Sequence, residues 1–118
     1  FDKLPLEAKN FINVNFQDVK ILYTVQDDDI IFPEYTVALD NGFKIQFTNG
    51  GALEKIESNG QAIPEGLIPY QIRDYVKVHY PDATFREYEV GRKSYEVKLS
   101  NRLDLKFNKK FNLIEIDD

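Results

Sequence analysis

Apolar residues recur along this chain with two periods, and the two periods alternate twice. Ile68, Ile72, Tyr75, Val76 and His79 fall at i, i+4, i+7, i+8 and i+11, a single stripe along an α-helix. Leu4, Ala8, Phe11, Ile12 and Asn15 form the same stripe near the start. Pro5 and Pro69 suit the first turn of each helix, where a missing N–H has no partner to lose, and Pro81 forbids continuation of the second. Period-two segments follow each helix. Tyr35-Val37-Leu39 and Phe43-Ile45-Phe47 alternate with more polar or smaller residues, as do Tyr95-Val97-Leu99 and Leu103-Leu105-Phe107, which predicts strands with one buried face. Less regular strands are expected before these pairs, at Val19–Gln26 and Thr84–Val90, and after them, at Leu53–Ser58 and Leu113–Asp117.

The alternation reflects an internal repeat. A shift of 64 lays residues 4–21 on 68–85, so that Leu4-Pro5 meets Ile68-Pro69 and Phe11-Ile12 meets Tyr75-Val76. A shift of 60 lays residues 35–57 on 95–117, and Tyr35, Val37, Leu39, Asn41, Phe47, Leu53 and Ile56 then meet identical residues. The change of shift places four extra residues in the first copy, between Val25 and Glu34. The chain therefore reads as one domain, 1–118, of two repeats at about 3–58 and 67–118, with a linker at 59–66 holding Gly60, Pro64 and Gly66. The expected class is α+β: a tandem repeat of a helix plus a four-stranded antiparallel meander, with helices packed on one face of the sheet.

Parity selects the central turn. A two-residue loop at Asn41-Gly42 would set Leu39 opposite Lys44 and turn one strand's apolar set into water. A three-residue loop, Asp40-Asn41-Gly42, instead pairs Leu39 with Phe43, Val37 with Ile45 and Tyr35 with Phe47. That loop needs a left-handed third residue, which Gly42 supplies freely and Arg102, its counterpart, supplies at a cost of about 1 kcal/mol.

Composition narrows the chemistry. An apolar content of 42% supports a real core, and no apolar run approaches the ~20 residues of a membrane span. The chain has no Cys and no Met. Phe1 is thus not an initiator and was exposed by processing or by trimming; removal of an export signal is one such cause, and the expected location is periplasmic, secreted or cell-surface. Net charge is −5; residues 1–59 carry 5 basic and 10 acidic groups, while residues 60–118 carry 10 of each. An acidic balance argues against nucleic acid, which demands a cationic face.

No catalytic, metal or cofactor site is expected. His79 is the sole histidine and reads as a polar residue at a helix end, tucked partly against the sheet. Ser58, Ser94 and Ser100 stand in no nucleophile pattern, so an enzyme is not expected. Asp27-Asp28-Asp29, close to Glu34, is the densest acidic cluster; it reads as a solvated hairpin loop ahead of a weak cation site, lacking calcium-loop spacing. The strand faces turned away from the helices hold the remaining candidates. In the second copy Glu96, Lys98, Asp104 and Lys106 form a checkerboard, with Lys98 set near Asp104 and Glu96 near Lys106. Thr36, Ala38, Lys44 and Gln46 are the less charged counterparts, and Tyr23 and Tyr88 are expected to reach the same face from the irregular first strands.

Ile68-Pro69 opening a helix, Tyr80–Ala83 closing it, and the strands Tyr95–Asn101 and Leu105–Asn108 resemble the PepSY-like family of small exported bacterial proteins common in Bacteroidetes, with a fold similar to beta-lactamase inhibitor protein. The chain departs from that pattern at Gln17, where the post-helix proline is missing, and at Arg102, where glycine is usual. The resemblance implies export and tandem units sharing one curved sheet with helices on one side. It does not imply inhibition of a beta-lactamase. The function expected is an exported protein- or peptide-interaction module, inhibitory or regulatory in kind, acting through the open sheet face and the 27–34 loop. The alternative is a small-ligand or cation carrier of the cell envelope. The partner and the oligomeric state are not legible.

Overall fold

A computed structural model describes residues 3–27, 31 and 33–118. Its class is α+β, with two α-helices and eight strands divided between two units, Phe1–Ile56 and Glu57–Asp118. The first unit holds α1 (Leu6–Asn15), β1 (Ile21–Gln26), β2 (Tyr35–Leu39), β3 (Lys44–Phe47) and β4 (Leu53–Glu57), whose last residue opens the second unit. The second holds a 3₁₀ turn (Glu65–Leu67), α2 (Tyr70–His79), β5 (Phe85–Val90), β6 (Ser94–Leu99), β7 (Asp104–Asn108) and β8 (Leu113–Asp117). Within each unit the strands are ordered as they occur in the chain, and β1-β2, β2-β3, β5-β6, β6-β7 and β7-β8 pair antiparallel.

Both helices begin and end alike. Pro5 and Pro69 are N-caps rather than first-turn residues, with φ/ψ of −56/151 and −54/139. Their carbonyls accept the first helical bonds, from Lys9 and Arg73, both at 3.1 Å. Phe16 and Tyr80 close the last turns by donating to Ile12 and Val76. In the first unit Ala8 and Ile12 are buried with Val37, Ile45 and Phe47, and the Phe11 ring meets Phe47 edge-on at 5.7 Å. In the second, Ile72 and Val76 are buried with Val97, Leu105 and Phe107, and Tyr75 meets Phe107 edge-on at 5.5 Å. Such an aromatic pair contributes about 0.5–1.5 kcal/mol beyond its buried area.

The three-residue hairpin loop that parity demands is the one found. Tyr35 pairs with Phe47 and Val37 with Ile45, and the Leu39 N–H donates to the Phe43 carbonyl at 2.9 Å. In the second unit Tyr95 pairs with Phe107 and Val97 with Leu105, and the Leu99 N–H donates to Leu103 at 2.9 Å. Gly42 and Arg102 take the left-handed position at φ 96 and 72. Asn41 and Asn101 brace these loops by accepting the N–H of Phe43 and Leu103. The segment 59–66, read from sequence as a linker, folds with the second unit: Ile63 is buried and its N–H donates to Phe85 at 2.8 Å.

Gly51 lies against the start of α1 at φ 92, where an added Cβ would come 2.8 Å from Pro5 Cβ. Its counterpart 60 residues on, Phe111, tolerates φ 66 and stacks on Tyr95 at 4.9 Å. Two substitutions separate backbone strain from packing. Arg102→Gly is expected to raise stability in urea unfolding by about 1 kcal/mol, because only the strain is removed. Gly51→Ala is expected to lower it by about 1–3 kcal/mol, adding a clash to the strain. Equal midpoints for Arg102→Gly and the parent would remove the strain argument.

Candidate interaction surface

Each helix covers one face of its unit's strands, so residues on alternate positions point away from it. Register identifies them. In the first unit the outward rows are Tyr23–Ala38–Lys44 and Val25–Thr36–Gln46. Tyr23 is 46% and Val25 49% exposed, Lys44 is exposed, and Ala38 is buried between its neighbours. This face carries one cation, Lys44, in those two rows.

The second unit's outward face is of a different kind. Its rows are Glu87–Lys98–Asp104–Asp117 and Glu89–Glu96–Lys106–Glu115. The two cross-strand pairs expected from sequence are present, Lys98 with Asp104 at 4.0 Å and Lys106 with Glu96 at 3.2 Å, and Glu87 adds a third at 3.4 Å from Lys98. Glu87 and then Asp104 raise the Lys98 ammonium above its ordinary pKa. The hydrogen bond and charge of Glu96, with Glu115 and Asp117 behind it, do the same for Lys106. Six carboxylates and two ammonium groups nevertheless leave four negative charges in excess. Residues 60–118 are charge-balanced in sequence, so folding has sorted their charges by face. Register also sets Glu89 opposite Glu96 and Asp104 opposite Asp117, like-charge pairs that each cost a few tenths of a kcal/mol, about 0.2–1.

Several expectations need correction. Tyr88 does not reach the outward face: it pairs with Val97 and is 4% exposed. A register shift between Phe85 and Glu87 changes parity, so Glu87 takes the outward place. The same shift between Ile21 and Tyr23 leaves Tyr23 outward, opposite Ala38. His79 is exposed and stacked on Tyr75 at 4.2 Å rather than tucked against strands. Of the acidic loop, the Asp27 N–H donates to the Glu34 carbonyl at 3.0 Å, while Asp28 and Asp29 lie outside the described residues. Val25, Glu87, Glu89, Glu115 and Asp117 were not singled out from sequence, and their alternation becomes readable only once the bulges are placed.

Other polar groups serve the fold. The Ser58 hydroxyl is fully buried between the carbonyls of Arg86, 2.8 Å away, and Gln61, and the Ser100 hydroxyl accepts the Thr84 N–H at 2.9 Å. The Arg86 guanidinium donates to the Gly60 carbonyl. A hollow of about 340 Å³ lies between α2 and β5, lined by Arg73, Val76, Lys77 and Phe85 among others. Among the described residues no group of three or more His, Asp or Glu side chains is placed to hold a metal ion, and no helix is long and apolar enough to cross a membrane.

Fold and surface define a small α+β protein whose antiparallel strands are backed by helix on one side and open on the other. The chain belongs to the family described as "Putative beta-lactamase-inhibitor-like, PepSY-like", whose model matches residues 33–115. It is similar to the crystal structure of a "putative calcium-regulated periplasmic protein" from Bacteroides thetaiotaomicron, with 39% identity and a TM-score of 0.94 over 99% of this chain and 92% of that one. A "putative periplasmic protein" from Bacteroides vulgatus is 35% identical with a TM-score of 0.94, again over 99% and 92% of the two chains. A third, also periplasmic by name and of unknown function, from the same organism, is 28% identical with a TM-score of 0.93 over 99% and 94%. No curated protein matches the chain.

Burial of Tyr88, with the charge of Tyr95 nearby, pushes its phenol from 10.0 up to about 12. A raised folded-state value adds stability in full below pH 10, and that stability is lost as pH climbs through about 12. The alkaline limb of the stability curve is therefore expected to fall by about 2–3 kcal/mol over that window, and Tyr88→Phe to flatten it. Tyrosinate absorbance during the titration checks the assignment; a limb unchanged in Tyr88→Phe removes it.

Proposed function

We propose that this chain is a periplasmic protein- or peptide-binding module, built by duplication of one helix-plus-meander unit, that meets its partner on the open strand faces. The observation that carries the binding reading is the outward face of the first unit, where Tyr23 and Val25 keep nearly half their surface in solvent beside small and weakly charged neighbours. Aromatic side chains with little surrounding charge are what interfaces favour. Location rests on the relatives, three solved proteins each named periplasmic. Duplication is supported by repeated detail. The β1-β2 and β5-β6 pairs carry bulges at matching places, and the Asp40 and Ser100 N–H groups make the same 2.8 Å bond to Lys20 and Thr84. No catalytic step is part of this reading.

Affinity capture from envelope extract tests it. The parent is expected to retain one protein that Tyr23→Ser/Val25→Ser loses and Leu6→Ser, on the exposed side of α1, keeps. Both variants should stay within about 0.5 kcal/mol of the parent in stability. Loss in the helix variant and retention in the strand variant would move the site to the helices.

A second reading, response to a cation, is favoured by the calcium-regulated name of the 39% identical protein. Calcium that binds the folded state raises the melting temperature by mass action. The reading expects such a rise with calcium, absent with magnesium and abolished by Asp27→Asn/Asp28→Asn/Asp29→Asn. A flat thermal shift would discard it.

A further inference from the structure

The second unit ends in a strand paired on one side only. β8 bonds to β7 and, among the described residues, to no strand on its other side. An unpaired strand edge is a row of N–H and C=O groups able to accept another chain. β8 also presents Ile114 and Ile116 at 55% and 47% exposure, and sends Glu115 and Asp117 to the outward face. These carboxylates finish two rows whose cations are already engaged, Lys98 by Glu87 and Asp104, Lys106 by Glu96.

We propose that the free edge of β8 takes an extended, basic segment of a partner protein, with Lys or Arg side chains beside Glu115 and Asp117 and apolar ones beside Ile116. This rests on the protein-binding reading above and assigns its partner class in the second unit. Charge complementarity chooses the occupant. A second copy pairing β8 with β8 would bring the acidic pair against its own kind, which is unfavourable across strands. In the first unit β1, which among the described residues pairs with β2 alone, reads Ile-Leu-Tyr-Thr-Val-Gln and supplies no cation. A basic strand instead adds positive charge beside Asp117 and Glu115 and relieves the opposed Asp104–Asp117 pair. Charge placed on an edge guards against self-pairing. Here the same charge admits a strand of opposite sign.

The probe is the peptide Thr-Lys-Val-Lys-Val-Lys-Thr, with one control carrying Glu for Lys and another carrying Pro for Val. The intact chain should bind the lysine peptide in fluorescence anisotropy, more weakly as salt rises, and neither control. Amide exchange should slow at Leu113–Asp117. Glu115→Lys/Asp117→Lys should weaken the lysine peptide about tenfold and admit the glutamate peptide. Equal binding of both charges, or no binding of the lysine peptide, overturns the proposal. So does binding that leaves the β8 amides unprotected, which would place the peptide on the strand face instead. None of these results touches capture through Tyr23 and Val25, so the broader reading stands or falls on its own experiment.

Discussion

One backbone angle in each central hairpin determines what every neighbouring side chain does. With Gly42 or Arg102 in the left-handed region the loop holds three residues, and Val37 faces Ile45 and Val97 faces Leu105 on the helix side. A loop one residue shorter would exchange the faces of one strand, sending Ile45 or Leu105 to water and Lys44 or Asp104 under the helix. The aromatic contacts of Phe11 with Phe47 and Tyr75 with Phe107 exist only in the first arrangement. The loss of several such buried side chains, at about 1.5–3 kcal/mol each, far exceeds the cost of one strained arginine. Arg102 can therefore depart from glycine without moving the register.

The helices, the hairpins and their ion pairs were legible because each follows from a short period and a local turn. Ile72 and Val76 declare their stripe, and Leu99 and Leu103 declare their loop, within a dozen residues. The bulges in β1 and β5 were not legible. A bulge inserts one residue without altering composition, so Glu87 and Tyr88 look interchangeable until the pairing with Lys98 and Val97 is known. One such residue put Tyr88 in the core and Glu87 in the charged rows. The candidate surface was thus half readable: Lys98, Asp104, Glu96 and Lys106 from alternation, and its acidic surplus only from structure.

That surplus shows how little a net charge says about a surface. The balanced half of the sequence yields the more polarised face, because strand alternation sends Glu89, Glu96, Glu115 and Asp117 to one side while Arg92, Lys93, Lys109 and Lys110 fall in the turns. The excess of acid counted in the first half leaves no comparable mark on the outward rows there, where Tyr23, Val25, Thr36, Ala38 and Gln46 are uncharged. Counting by segment and counting by face answer different questions, and a partner meets only the face.

The helix sides of the two units share the same chemistry, Phe11 on Phe47 and Tyr75 on Phe107, while their outward sides differ. Core positions are held by packing, since a lost methylene or a misplaced ring is felt directly in stability. Outward positions carry no such constraint, and a fold alone would leave them interchangeable. Acids stand opposite acids at Glu89–Glu96 and Asp104–Asp117, and within the unit Lys106 and Lys98 offset only part of that repulsion by pairing with Glu96 and Asp104. The weakly charged, tyrosine-bearing rows of the first unit and the acidic rows of the second thus differ in chemistry over helix sides that match.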